Sequence, residues 1–135
     1  MGTVGRVILL HFCPRADWER ASEDGEYRAE SLASEGFVHC STAAQVADAA
    51  AAHARGQAGL VLLAIDPERV DAPVRWEPPA EPRDADDSGD AEGTLFPHVY
   101  GPIPIAAVTA VHAFPPDADG SFRLPPALDL GEGTP

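Results

Sequence analysis

The chain has 135 residues, a net charge of −13 and a hydrophobic fraction of 44%, which suits one globular domain and is too short for two ordinary ones. All nine basic residues are arginine, so no lysine is available for a Schiff base or a phosphate grip. An acidic body without a basic stripe argues against strong nucleic-acid binding.

Cys13 and Cys40 form no C-x-x-C pattern, so no disulfide framework is expected. With no leader-like segment and no apolar run of membrane-spanning length, the expected setting is the cytoplasm, away from any membrane. Six acids against Arg83 fall in residues 78–93, and four against Arg123 fall in residues 115–135. Charge concentrated in loop-like segments serves solubility and says little about fold.

In chain order, Val7 to Phe12 is an apolar run broken only by His11 and predicts a first strand buried on both faces. Pro14 suits the first turn of a helix running to Asp24 with Gly25 as its stop, and Trp18 is its anchor. Ser31 to Glu35 predicts one helical turn closed by Gly36. The stretch Gly36-Phe37-Val38-His39-Cys40-Ser41-Thr42 then predicts a short strand running into a helix start. Alternation puts Phe37, His39 and Ser41 on one face and Val38 and Cys40 on the other. Thr42 to Gln45 has the spacing of a reciprocal capping box, opening a helix from Ala43 to Arg55. An imidazole and a hydroxyl are thereby offered at a helix N-terminus, a natural place for an anionic group.

Leu60 to Ile65 is the strongest strand signal. Val74 to Glu77 predicts a short strand with Arg75 and Glu77 on one face and Val74 and Trp76 on the other. Residues 78–93, rich in Pro, Asp, Gly and Ala, predict a mobile acidic loop. Leu95 to Pro102 predicts an extended segment ended by Gly101-Pro102, and Ala107 to Phe114 a last strand. From Pro115 onward five prolines and scattered glycines predict a largely disordered tail, with Phe122 or Leu124 tucked back. The domain is therefore expected to span residues 1–114, as an α+β fold with its helices in the N-terminal half.

Three histidines, His11, His39 and His98, sit in strand contexts at the ends of apolar runs. Each alone reads as a hydrogen-bonded core group, but together they outline a cleft. His53 reads as a surface residue and His112 as sheet filler. His98 and Tyr100, two apart in an extended segment stiffened by prolines, project from one face. Arg75 and Glu77 are either a solvated pair or, respectively, an anion ligand and a general base or hydroxyl acceptor. Cys40, on the face opposite His39, reads as a small buried hydrophobe more readily than as a nucleophile. A zinc site from His11, His39, His98 and Glu77 has no short-spacing ligand motif behind it, so no metal is expected.

The motifs Leu10-His11, Asp17-Trp18, Gly25-Glu26-Tyr27, Ser31-Leu32, Gly36 to Thr42, Leu60 to Leu63, Val74 to Glu77 and Leu95 to Pro102 resemble, in the same order over residues 6–114, the bacterial domain of unknown function 952 family. That family in turn resembles a remote branch of the ADP-ribosyltransferase fold, which includes RNA 2′-phosphotransferases. The resemblance implies two small packed, mostly antiparallel sheets with NAD held in a cleft between them. It implies a ribose hydroxyl on His11, a Gly-x-x-His-x-Ser pattern at Gly36, His39 and Ser41, and nicotinamide stacked on Tyr100 or Tyr27.

The resulting expectation is a cleft binding NAD or a related phosphorylated nucleotide. His39, Glu77, His98 and Tyr100 would act in ADP-ribosyl or phosphoryl transfer, and His11, Tyr27, Ser41, Thr42 and Arg75 would bind substrate. The rival expectations are a non-catalytic metabolite-binding module, or histidines that only lock the sheets together. Oligomeric state is left open.

Overall fold

The computed structural model describes residues 8–78 and 95–125, and the acidic segment expected to form a mobile loop lies almost wholly outside them. The elements run β1 (Leu9–Pro14), α1 (Arg15–Asp24), β2 (Glu26–Tyr27), α2 (Glu30–Glu35), β3 (Val38–His39), α3 (Val46–Ala54), β4 (Leu60–Ile65), β5 (Val74–Glu77), β6 (Phe96–Val99), β7 (Ile103–Pro104) and β8 (Val108–Ala113). Short 3₁₀ turns at Pro67–Arg69 and Ile105–Ala107 precede β5 and β8. The α+β class holds, and all described strand pairs are antiparallel. The strands form three sheets where two were expected: β1-β4-β8, β2-β7 and β3-β6-β5.

All six residues of β4 are buried because its sheet has a core on each face. Leu9, Cys13, Val61, Leu63 and Ile65 join Tyr27, Val38, Val99 and Ile103 in one cluster. Leu10, Leu60, Leu62 and Ala64 meet Val46, Ala50 and Ala54 of α3 in the other. The alanines of α3 let its backbone lie close to the sheet, and burial of this kind supplies most of the favourable free energy of folding.

Two local expectations are corrected. The expected strand from Phe37 to Ser41 shrinks to Val38–His39, because the chain changes partners there. Cys40 donates its N–H to the carbonyl of Pro97 in β6, whereas Ser41 exchanges both backbone bonds with Leu10 in β1. This switch fastens the two three-stranded sheets together.

The third helix starts at Val46 instead of Ala43. Gln45 Oε1 accepts from the Thr42 N–H at 2.9 Å, which is one half of the capping box; the Thr42 hydroxyl completes no second half among the described residues. Residues 43–45 form a turn, and Thr42 is therefore not at the helix N-terminus.

Past Phe114 the chain tucks back onto the fold, as expected for Phe122 or Leu124. Phe122 is buried, its ring 5.0 Å from that of Phe114, and Leu124 packs on the same cluster. Residues 126–135 lie outside the described part. No described helix is long and apolar enough to cross a membrane.

Candidate functional site

The β3-β6-β5 sheet has two unlike faces, set by strand alternation. Val38 and Val99 point into the core. The other face carries His39 directly opposite His98, and Arg75 directly opposite His98 from the far side. Gly36, at φ +94°, ends α2 in a left-handed turn that glycine tolerates without penalty, and so delivers Phe37 onto that face.

Phe37 stacks on His98 at 4.2 Å between centroids and 17° between planes. It also meets His39 at 4.8 Å and Tyr100 at 5.1 Å. The two imidazoles lie 5.3 Å apart, edge to face. Such offset and edge contacts are the favourable arrangements for aromatic rings.

Each imidazole has its own carboxylate. His98 Nδ1 donates to Glu77 Oε1 at 2.8 Å, and the Tyr100 hydroxyl donates to the same oxygen at 2.6 Å. Those two donors hold the Glu77 carboxyl below its ordinary range, the Tyr100 bond first and the His98 bond second. The Glu77 bond in turn raises the Tyr100 phenol. His39 Nε2 lies 3.0 Å from Glu35 Oε1. Arg75 sits 5.3 Å over the Tyr100 ring, a cation–π distance. Of the two readings open for Arg75 and Glu77, a simple solvated pair does not describe them: Glu77 is committed to His98 and Tyr100.

His98 is 2% exposed, whereas His39 is on the surface side of the cluster, its side chain 41% exposed. His11 lies behind β3. Its Nδ1 donates to the backbone carbonyl of His39 at 2.6 Å, and its Nε2 accepts from the Tyr27 hydroxyl at 2.8 Å. Burial pushes the His11 imidazole down to about 4 and the Tyr27 phenol up. Burial also raises the thiols, Cys13 to about 11 and Cys40 to about 12. Thiols so far from ionising make poor nucleophiles, which suits Cys40 as a buried hydrophobe.

Thus the fold gathers His39, His98, Glu77, Tyr100 and Arg75 on one face. It puts His11 and Tyr27 together on the other side of β3, and it leaves Ser41 and Thr42 past the strand end, neither hydroxyl bonded to an imidazole. His112 is half-buried with its Nε2 unpartnered, and His53 is exposed. Two members of the cluster, Phe37 and Glu35, are not among the site residues expected from the sequence. The spacing of Phe37 to His39 was a usable signal; the Glu35–His39 pair bridges a glycine turn and leaves no periodic trace. Among the described residues no group of three or more His, Cys, Asp or Glu is placed to hold a metal.

Gly101 holds Tyr100 in place by its lack of a side chain. A Cβ there would stand 2.6 Å from the Ala72 Cβ, next to the bond from Tyr100 N–H to the Pro73 carbonyl. Gly101→Ala is therefore expected to cost about 1–3 kcal/mol, the usual range for overpacking. It should also loosen the Tyr100–Glu77 bond. Chemical denaturation together with the ultraviolet titration of Tyr100 checks both, and an unperturbed variant would remove the close approach as a constraint.

The fold and this face define a small antiparallel α+β protein carrying a histidine–carboxylate–aromatic cluster on one sheet. Residues 12–111 match the family described as protein of unknown function, DUF952, and the chain belongs to that family. Among solved structures it is similar to protein CC0527 from Caulobacter crescentus. The crystal structure of that protein is 31% identical, with a TM-score of 0.72 over 86% of this chain and 93% of that one. Its solution structure gives 28% identity and a TM-score of 0.60 over 84% of this chain and 90% of that one. No curated protein matches the chain significantly.

Proposed function

We propose that the His39–His98 face binds NAD or a related phosphorylated nucleotide in the cytoplasm, the ligand class implied by the resemblance to ADP-ribosyltransferases. The observation that carries this reading is Glu77 Oε1 accepting two side-chain donors at once. A carboxylate fixed in this way keeps its second oxygen for a ligand donor, such as a ribose hydroxyl, and costs little to organise on binding. Arg75 supplies the positive charge a phosphate needs, and Phe37 and Tyr100 supply stacking surface. In a transfer reaction at the ribosyl C1′, His39 or Glu77 would hold ribose hydroxyls. Preorganised charge would then supply the rate without a strong nucleophile.

The same face would serve a non-catalytic metabolite-binding module. Calorimetric titration with NAD, ADP-ribose and nicotinamide tests binding, and release of nicotinamide from NAD separates an enzyme from a binder. Arg75→Ala should weaken NAD and ADP-ribose tenfold or more and leave nicotinamide unaffected. No heat with any of the three ligands would sink the reading.

A further inference from the structure

We infer that His11 is a positioning residue for this face: a strut that holds the β3 main chain in register and makes no contact with ligand. The inference deepens the nucleotide-face reading and rests on it for its functional consequence.

The first argument is the use of the two ring nitrogens. The partner of Nδ1 is a backbone carbonyl, which can only accept, so Nδ1 carries the hydrogen. In a neutral imidazole Nε2 is then a lone pair, and the Tyr27 hydroxyl must donate to it. Both nitrogens are spent inside the protein, and none is left for a ribose hydroxyl.

The second argument is the weakness of β3. It has two residues and two ladder partners, Val99 and His98, on the edge of its sheet, and the further ties of Cys40 to Pro97 and Ser41 to Leu10 come only after His39. An edge strand that short is poorly fixed by its own ladder. His11 grips it from β1 and braces the grip on β2 through Tyr27, so one imidazole links all three sheets. The gripped carbonyl belongs to His39, whose own ring faces His98 and Glu35. A slip of β3 would therefore move the His39 ring on the ligand face. Errors of about 1 Å in a positioned group are enough to cost binding and catalysis heavily.

The test uses long-range nitrogen–proton NMR of the imidazoles in the full chain, with NAD as the probe. His11 should show the Nδ1–H tautomer, and its nitrogen resonances should stay still on addition of NAD while those of His39 move. His11→Leu should displace the His39 resonances before any ligand is added and weaken NAD tenfold or more. His11→Asn, whose amide N–H can stand where Nδ1–H stood, should restore binding to within about threefold, which a bulk packing role would not require.

An Nε2–H tautomer, a His11→Leu variant with unmoved His39 resonances, or His11 nitrogens that themselves respond to NAD would overturn the strut. If NAD binds nowhere, the nucleotide reading fails by itself. The tautomer and the His39 displacement still decide the strut, and the tautomer needs no variant to fold.

Discussion

Truncating His98 to alanine is expected to cost about 3 kcal/mol of unfolding free energy and to lower the melting temperature by roughly 10 °C. The ring is almost wholly buried, lies flat against Phe37 and meets the His39 edge. Removing it opens a cavity lined by rings that cannot collapse far, since Phe37 and Tyr100 are fixed by turns on either side. It also leaves Glu77 with Tyr100 as its one remaining side-chain donor among the described residues.

His98→Asn should recover part of the loss, because its amide can still donate toward Glu77. Glu77→Gln, which keeps an acceptor oxygen but no charge, should be milder for stability than His98→Ala and should still impair nucleotide binding. Urea denaturation of the three variants beside the parent orders them. An alanine variant as stable as the parent would mean that the stacked cluster contributes nothing to folding and that His98 is kept for another reason.

What could be read ahead of the structure follows a physical division. Leu60 to Ile65 was legible because a strand buried on both faces must be apolar at every position. Gly25 and Gly36 were legible as helix stops because both sit at positive φ, where other residues are strained. The β5 alternation was legible for the same local reason, and it placed Arg75 and Glu77 together.

The errors all came from non-local choices. Nothing in Phe37 to Ser41 says that Cys40 will pair with β6 and Ser41 with β1. Nothing in Thr42 to Gln45 says that Gln45 will also reach across to the Leu95 carbonyl at 2.7 Å, fixing a turn ahead of the helix. In the tail, by contrast, the tucking back of Phe122 was legible, and the ring it finds is that of Phe114. For the candidate site, alternation and spacing put Phe37 with His39, and His98 with Tyr100. They did not show that His11 would turn its nitrogens inward, because its partners lie 16 and 28 residues away.

The second large effect expected is a loss of stability in mild acid that traces to His11. Its imidazole ionises at about 4 in the folded protein against an ordinary 6.5. Between those values the unfolded chain binds a proton that the native state refuses, so acid favours unfolding. Stability is full above about pH 6.5 and falls as the pH drops toward 4. The difference amounts to at most about 3 kcal/mol, since the ring is half-buried rather than sealed.

The causes are built into the fold. Burial dominates, and proximity to His39 adds to it. The bond to the His39 carbonyl and the charge of Asp17 on α1 oppose it. Tyr27 on β2 and Cys13 on the same strand are neutral throughout this range, their pKa values being raised. Protonated, His11 would carry a hydrogen on both nitrogens, and Tyr27 could no longer donate to Nε2.

Glu77 and Asp119 act lower on the scale. Both carboxyls are depressed, Glu77 by Tyr100 and His98 and Asp119 by Ser121, so their contributions persist until the pH falls below the ordinary carboxylate range. Urea midpoints measured from pH 7 to pH 5 therefore stay clear of these carboxyls, and comparison of the parent with His11→Asn picks out the His11 imidazole. His11→Asn should flatten the slope in that window while leaving the steeper loss below pH 4.5 in place. A variant that keeps the parent slope would assign the acid sensitivity elsewhere and would leave His11 ionising as it does in the unfolded chain.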